Sequence, residues 1–303
     1  MIKKYNLDPS LVNYIDNLGM GVEERGALGG TVYYVENNAG NDAWDGLSID
    51  YPFKTLAKAI SVSNSDMARR ARWAKRNTIY YFADAETVSL AAIPQKTDIV
   101  GCGSNSAYKK ATIIGAHAPL TEAFGCRFIN VRFQPVATGN ILWTTIANNN
   151  GIEFHNCDFI GSESGATAAS AISTTATAAL EINKCRFYGA FSGDVIAIGS
   201  GDMSGLRITN CTIHGAANDG IVIASGATTS GVEGAPIIDN NIISVAVVTI
   251  NDGDSSSIIT NNRLISLAAK GTLSTVLVYN AALASNNDVT GNDGSVHAPS
   301  TSD

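Results

Sequence analysis

Two aspartates, Asp194 and Asp219, have the residue type and the setting that cleavage of a glycosidic bond requires. Each stands directly before a short apolar stretch, in DVIAIG and in DGIVIA. If these stretches are strands on neighbouring turns of one fold, the two carboxyl groups lie about 5 Å apart, as in a retaining pair of acid and nucleophile. The alternative interpretation is that both aspartates shape the turn before a strand.

Other residues are candidates for binding a sugar or a metal ion. Trp143 in NILWTT and Tyr279 in VLVYN are candidates for a surface on which sugars stack, or else for core packing. Asp252 and Asp254 in NDGDSSS offer clustered oxygens for calcium, or else form a turn. The sequence shows no zinc spacing, phosphate loop or serine-hydrolase elbow, and we expect no cofactor.

Other charged residues recur at the same offset in successive repeats, with opposite signs in most steps. One series is Arg127, Glu153, Glu181 and Arg207, and another is Arg132, Asp158, Arg186, Thr212, Ile242, Arg263 and Asp288. We interpret both as ladders of charge on the solvent face of stacked strands. This interpretation removes Glu153, Glu181 and Asp158 as strong catalytic candidates.

The chain repeats one short pattern many times, as in GIEFHNCDFIG, ALEINKCRFYG and GLRITNCTIHG. Aligned positions are Asn130, Asn156, Lys184, Asn210, Asn240, Asn261 and Asn286, at intervals of 21 to 30 residues. The residues two before and three after these positions are apolar throughout. The first column is Phe128, Phe154, Ile182, Ile208, Ile238, Ile259 and Ala284, and the second is Phe133, Phe159, Phe187, Ile213, Ile243, Leu264 and Val289.

Such a repeat cannot bury its apolar face alone but can do so by stacking on its neighbours. The sequence therefore predicts an all-β fold, a single-stranded parallel β-helix, right-handed by the general preference of parallel crossovers. The asparagine column fits a corner, because asparagine tolerates the left-handed backbone region and its amides can hydrogen-bond along the stack. Cys157, Cys185 and Cys211 follow this column, and we expect small buried thiols there.

These repeats resemble those of pectate-lyase-like proteins and of bacteriophage tailspikes, most closely in GLRITNCTIHGAANDGIVIASG. A second resemblance to phage and bacterial β-helix proteins lies in YYVENNAGNDAWDGLSIDYPFKTLAKAI, residues 33–60. The resemblance implies a strand, a loop and then a helix from Thr55 onward that caps the coil. It implies little about activity, since the fold carries lyases, hydrolases, adhesins and inert virion parts.

The sequence divides into four segments. Residues 1–30 form an N-terminal anchor segment, 31–100 a cap that leads into the first turns, 101–291 the β-helix and 292–303 a flexible tail. A helix is predicted after Asp8, ending near Gly19. Its apolar stripe consists of Leu7, Leu11, Tyr14, Ile15 and Leu18. We interpret the stripe either as an anchor that docks on another protein or as a helix packed on its own β-helix.

Composition narrows the function further. The formal charge of −7 argues against nucleic acid as a partner, and we expect no membrane insertion because no apolar run is long enough. The N-terminus lacks the apolar run of a secretory signal, and the odd count of five cysteines fits reduced thiols. We therefore expect synthesis in a host cytoplasm.

The leading hypothesis is a structural or binding protein of a phage-like virion: a capsid decoration, a head spike or a short tail spike. Its expected partners are other virion proteins, which would bind the N-terminal segment, and a host surface glycan. Resemblance to spikes implies a homotrimer. The alternative is a polysaccharide lyase or glycoside hydrolase that acts on a surface polysaccharide.

Overall fold

A computed structural model describes most of the chain from residue 30 onward. The described residues are 30–69, 76–103, 110–119, 125–145, 151–163, 165–174, 179–215, 218–224, 234–253, 257–267, 277–279, 283–290 and 300–301. The strands form a coil in which each strand pairs with strands one turn earlier and one turn later. We call one turn of this coil a rung.

Three sheets run along the coil. The first sheet has ten strands: β1 (Val32–Val35), β2 (Asn77–Tyr81), β4 (Thr97–Gly101), β6 (Arg127–Ile129), β9 (Glu153–His155), β14 (Glu181–Asn183), β17 (Arg207–Thr209), β20 (Ile237–Asp239), β23 (Ile258–Thr260) and β26 (Leu283–Ser285). The second has nine: β3 (Glu86–Thr87), β5 (Ala111–Ile114), β7 (Val131–Gln134), β10 (Asp158–Ile160), β15 (Arg186–Tyr188), β18 (Thr212–His214), β21 (Ile242–Val245), β24 (Arg263–Ser266) and β27 (Asp288–Thr290).

The third sheet has seven strands: β8 (Ile141–Thr145), β13 (Ser170–Thr174), β16 (Ile196–Ile198), β19 (Ile221–Ile223), β22 (Ile250–Asp252), β25 (Leu277–Tyr279) and β28 (Ser300–Thr301). Pairing within all three sheets is parallel. A small antiparallel pair, β11 (Ser162–Glu163) and β12 (Ala166–Thr167), projects from one rung. The predicted parallel β-helix is confirmed.

The two predicted apolar columns face the interior of the coil. Phe154 pairs with Phe128 and Ile182 in the first sheet, and Phe159 pairs with Phe133 and Phe187 in the second. All members of both columns are buried except Ala284, which is half-buried. A third inward column comes from the third sheet, where Trp143, Ile172, Ile196, Ile221 and Ile250 are in register.

The asparagine column forms the corner between the first and second sheets. Its seven residues, from Asn130 to Asn286, have φ between 53° and 58°, the left-handed region that asparagine tolerates. The amide of Asn156 donates to Oδ1 of Asn130 at 3.2 Å, and that of Asn240 donates to Asn210 at 2.7 Å. Both predictions for this column are therefore confirmed.

A single described helix, α1 (Leu56–Arg69), packs against β1 and β2 at the N-terminal end of the coil. The hydroxyl of Thr55 accepts a hydrogen bond from the backbone N–H of Lys58, as a helix cap does. Asp42 accepts bonds from the backbone N–H groups of Lys54 and Thr55 and from the Thr55 hydroxyl. The loop with the Gly-Asn-Asp sequence thus fixes the start of the helix, which begins where the sequence predicts it.

The same loop closes onto β1. The backbone N–H of Tyr34 donates to the carbonyl of Gly46 at 2.8 Å, and the N–H of Phe53 donates to the carbonyl of Tyr34 at 2.8 Å. Gly46 has a φ of 67°, and a Cβ there would lie 2.2 Å from the ring of Phe53. Only glycine fits this position. No helix among the described residues is long and apolar enough to span a membrane.

Candidate functional site

The structure brings Asp194 and Asp219 together on neighbouring rungs. Each residue stands two positions before a strand of the third sheet, β16 and β19, and the pairing of Ile196 with Ile221 puts them in register. The backbone N–H of Asp219 donates to Oδ1 of Asp194 at 3.3 Å. Both side chains are half-buried. The expected neighbourhood of the two aspartates is confirmed.

Hydrogen bonds from the next rung also hold the side chain of Asp219. Its Oδ1 accepts from the backbone N–H of Val248 at 3.0 Å, and its Oδ2 accepts from the side-chain amide of Asn251 at 3.2 Å. Asp194 and Asp219 each accept the N–H that occupies their own position one rung later. The two aspartates therefore form a short cross-rung ladder.

The surroundings of Asp194 shift the pKa of its carboxyl group. Burial raises the pKa of Asp194, the hydrogen bond from the Asp219 N–H opposes that shift, and the nearby charge of Asp219 adds to it. The net direction is upward. A carboxyl group with a raised pKa beside a second carboxyl group is an arrangement that glycoside hydrolases use for the general acid.

Trp143 lies in the core, so its assignment to a sugar-stacking surface is wrong. The residue is 0% exposed on β8. Its ring centroid is 5.0 Å from that of Phe128, 5.3 Å from Phe154 and 5.6 Å from His117. The indole belongs to the aromatic interior, which is the alternative that the sequence left open. For Tyr279 only the backbone on β25 is described, and its side chain lies outside the described residues.

Of the two calcium candidates, the structure describes only Asp252. Asp252 is buried on β22 and accepts a hydrogen bond from the Ser257 hydroxyl at 3.2 Å, whereas Asp254 lies outside the described residues. Within the described part of the chain, no three or more His, Cys, Asp or Glu residues are grouped as a metal ion would need. The anchor residues Leu7, Leu11, Tyr14, Ile15 and Leu18 also lie outside the described residues.

The charged series on the second sheet is not fully on the solvent face, which corrects the interpretation of Asp158. The side chains of Asp158 and Lys110 are both completely buried. The Nζ of Lys110 lies 2.9 Å from Asp158 Oδ1 and also contacts the carbonyl of Asn156. Arg186 donates two hydrogen bonds to the same carboxylate, from Nε at 2.9 Å and from Nη2 at 2.8 Å. Beside it, Arg132 pairs with Glu163 at 3.1 Å.

The alternating signs in the sequence predicted the contact between Asp158 and Arg186. Nothing in the sequence indicated Lys110, because it stands 48 residues before its partner and outside both columns. A paired, fully buried lysine fixes a segment on the coil. Its geometry marks a structural cluster rather than an open site.

The series on the first sheet behaves as predicted over its first rungs. Arg127 Nε lies 2.8 Å from Asp98 and 3.9 Å from Glu153. Burial tends to raise the pKa of Glu153, but the hydrogen bond from His155 and the charges of Arg127, His155 and Arg76 outweigh it and hold the pKa below its usual value. Glu153 is therefore an ion-paired carboxylate, as the ladder interpretation requires.

Comparison with known proteins gives one family. The family model described as "right handed beta helix region" matches residues 144–303. No curated protein and no solved structure gives a significant match to the chain.

Proposed function

The chain belongs to the family of right-handed β-helix proteins, and from this premise we propose that it is a structural or binding protein of a phage-like virion. The role would be that of a capsid decoration, a head spike or a short tail spike. The N-terminal segment would attach it to other virion proteins. The flank of the coil would then be free to bind a host surface glycan.

The observation that supports this proposal is how the coil uses its polar side chains. Hydrogen bonds to the neighbouring rung engage the side-chain oxygens of Asp194 and Asp219 and the amides of the corner asparagines. Such ladders add rigidity along the axis of the coil. A coil with a helix-capped end and laddered flanks suits a part whose task is to hold a surface at a fixed distance.

Mass spectrometry of particles purified from the source culture tests the proposal. We expect the chain in the particles at a fixed ratio to a capsid protein, and not in particle-free medium. Detection only in the particle-free fraction would contradict the virion role. Light scattering of the purified chain tests the proposed homotrimer, for which three times the chain mass is expected.

A second candidate function is hydrolysis of a surface polysaccharide, and the raised pKa of Asp194 beside Asp219 favours it. In this proposal Asp194 donates a proton to the leaving oxygen, and Asp219 acts as nucleophile or base. We expect Asp194→Asn and Asp219→Asn each to lower the rate of glycan cleavage by about 100-fold or more. The release of reducing ends measures that rate.

Asp239→Asn serves as the matched control. Asp239 also accepts cross-rung bonds, from Thr260 at 2.7 Å and Asn261 at 2.8 Å, but it stands on the first sheet. A glycan-cleaving activity that survives both Asp194→Asn and Asp219→Asn would exclude this site. An equal loss in the control would indicate a general effect on the coil.

A further inference from the structure

An apolar face lies exposed on the loop that precedes α1. Leu47 is 53% exposed, Ile49 62% and Tyr51 58%, and these are the three most exposed large apolar side chains among the described residues. The ring of Trp44 meets that of Tyr51 edge-on at 5.5 Å. We call Trp44, Leu47, Ile49 and Tyr51 the loop face. Three such side chains within five residues differ from the single exposed apolar residues that any surface carries.

The loop holds this face outward by many bonds. Asp45 accepts from the backbone N–H of Leu47 at 3.1 Å, Ser48 accepts from that of Asp50 at 3.0 Å, and the Tyr51 N–H donates to the Ser48 carbonyl at 3.2 Å. The ends of the loop are bonded to β1 and to the start of α1. A loop fixed at this many points holds its apolar side chains outward, where another segment can bind them.

The loop face stands at the end where the chain enters the coil. β1 begins two residues after Gly30, and its Tyr34 is bonded directly to Gly46 of the loop. From Gly30 to that bond is about 13 Å along an extended strand. The segment that precedes Gly30 therefore starts close to the loop face.

The sequence of this preceding segment offers a matching surface. It carries the apolar stripe Leu7, Leu11, Tyr14, Ile15 and Leu18, and Lys3 and Lys4 stand just before that stripe. The match is one of apolar side chains, since Asp8 and Asp16 lie within the stretch that carries the stripe and Asp45 and Asp50 are exposed between the residues of the loop face. A helix over residues 9–18 would be about 15 Å long. Residues 19–29 span up to about 36 Å, which is ample to bring it back onto the loop.

We propose that the apolar stripe of residues 7–18 covers the loop face of the same chain. This is the second of the two interpretations that the sequence left open, and it applies to the free chain, before the segment attaches to a particle. The inference goes beyond the proposed function, because it concerns the chain alone and holds whether or not a particle is involved. If a virion protein also binds the stripe, it must compete with the loop face for it.

Hydrogen exchange on the full chain tests this proposal. An isolated helix of this length is marginal in water, so protection of the amides at 7–18 reports docking. We expect protection in the unaltered protein. The double variant Leu47→Ser and Ile49→Ser should exchange at 7–18 about tenfold faster or more, because it loses two apolar contacts. Val136→Ser is the matched control, since Val136 is 49% exposed on a loop between β7 and β8, and it should change nothing.

The reciprocal variants complete the test. Leu11→Ser with Ile15→Ser should speed exchange at 44–51, whereas Val12→Ser, off the stripe, should not. Three results would overturn the proposal. They are unprotected amides at 7–18 in the unaltered chain, protection there that the loop variant leaves unchanged, and an oligomer by light scattering that the loop variant dissociates, which would assign the loop face to a second copy.

Discussion

The rungs that contain residues 126–189 and the rungs that follow them share one backbone path but fill it with different side chains. Between residues 128 and 187 the two inward columns are mostly Phe, and the rings of Phe133, Phe159 and Phe187 stack at 4.9 Å and 4.8 Å. Further along, the same columns hold Ile, Leu, Val and Ala. The register of the strands does not change across this transition. The coil therefore needs apolar residues at these positions, whatever their shape.

The position that follows the corner shows the same contrast in polar form. In three early rungs it is Cys157, Cys185 and Cys211, and in three later rungs it is Asn241, Asn262 and Asn287. The thiol of Cys185 donates to the carbonyl of Phe154 at 3.3 Å, and the amide of Asn241 donates to the carbonyl of Ile208 at 2.9 Å. These carbonyls occupy the same position of the preceding rung. One backbone acceptor is thus satisfied by two chemistries.

The two chemistries differ in strength. The Asn262 amide bridges two backbone groups, since its Oδ1 accepts from the N–H of Asn241 at 2.9 Å while its Nδ2 donates to the Ile238 carbonyl at 3.0 Å. Burial raises the pKa of Cys185, which keeps its thiol protonated as a donor. Sulfur is a weak donor and a weak acceptor, so the later rungs have the stronger corner and the earlier rungs the larger core.

The largest difference in unfolding free energy should be between two aspartates of the charged series on the second sheet. Asp158→Ala should lower the free energy of unfolding by about 3 to 5 kcal/mol, because it leaves Lys110 buried without its counter-charge. Asp288→Ala, at the other end of the column, should change it by less than about 0.5 kcal/mol, because Asp288 and Arg263 are each 64% exposed and 3.9 Å apart. Guanidinium unfolding of the full chain measures both, and similar losses would show that burial does not set the difference.

Truncation of the core columns should distinguish the aromatic from the aliphatic rungs. Phe159→Ala should cost about 3 to 4 kcal/mol, since it removes a ring stacked on two others. Ile243→Ala, in the same column, should cost less, about 2 to 3 kcal/mol. The same unfolding measurement applies, and a greater loss at Ile243 would contradict the view that the early core is the more strongly packed.

Substitutions at the corner should reverse that order. Asn262→Ala should cost about 2 to 4 kcal/mol, because it leaves a buried N–H and a buried carbonyl without partners. Cys185→Ala, in the early rungs, should cost about 1 kcal/mol, because it removes only weak sulfur bonds and a small volume. Calorimetry of the two variants compares them, with Cys102→Ala at an exposed position as the control.

The smallest effect concerns the response of the N-terminal end to pH. Burial raises the pKa of Glu86, bonds from the Leu56 N–H and the Tyr81 hydroxyl oppose this, and Asp42 adds to it. Because the folded pKa lies above the ordinary value of 4.5, the protonated form is favoured in the fold. The stability that this group contributes is complete below that value and is lost as the pH rises through the folded pKa.

Glu86→Gln should remove that dependence, since it keeps an acceptor for the Leu56 N–H without a charge. Relative to the unaltered chain, the variant should gain stability as the pH rises above the ordinary value of 4.5, as measured by unfolding at several pH values. Asp288→Asn, at an exposed position near the other end, is the control because it also removes one negative charge. A parallel trend in both variants would assign the pH dependence to net charge instead.

Positions that repeat in every rung could be predicted from the sequence. The corner asparagines, both inward columns, the buried thiols and the start of α1 recur at fixed offsets or match a known motif, so one pattern predicts many residues. The neighbourhood of Asp194 and Asp219 followed from their equal distance to two strands. The repeat could not predict the hydrogen bonds that Asp219 accepts, because their donors, Val248 and Asn251, belong to the following rung.

Features that occur once were missed. The sequence around Trp143 did not show which way its side chain faces. Its contacts with Phe128 and Phe154 place it in the core. Lys110 reaches Asp158 across two rungs. The loop face is part of a motif that the sequence analysis treated only as a cap. Side chains that depend on contacts between distant segments have no periodic signal.

The corner described above also affects how such a coil can evolve. A one-residue insertion between the corner and its apolar columns would move a rung's side chains to the opposite face. Successive corners are 21 to 30 residues apart, so the loops between them differ in length. Lengthening such a loop costs little conformational entropy. Descendants of this chain can therefore exchange or enlarge whole loops, one rung at a time, while inheriting the coil unchanged.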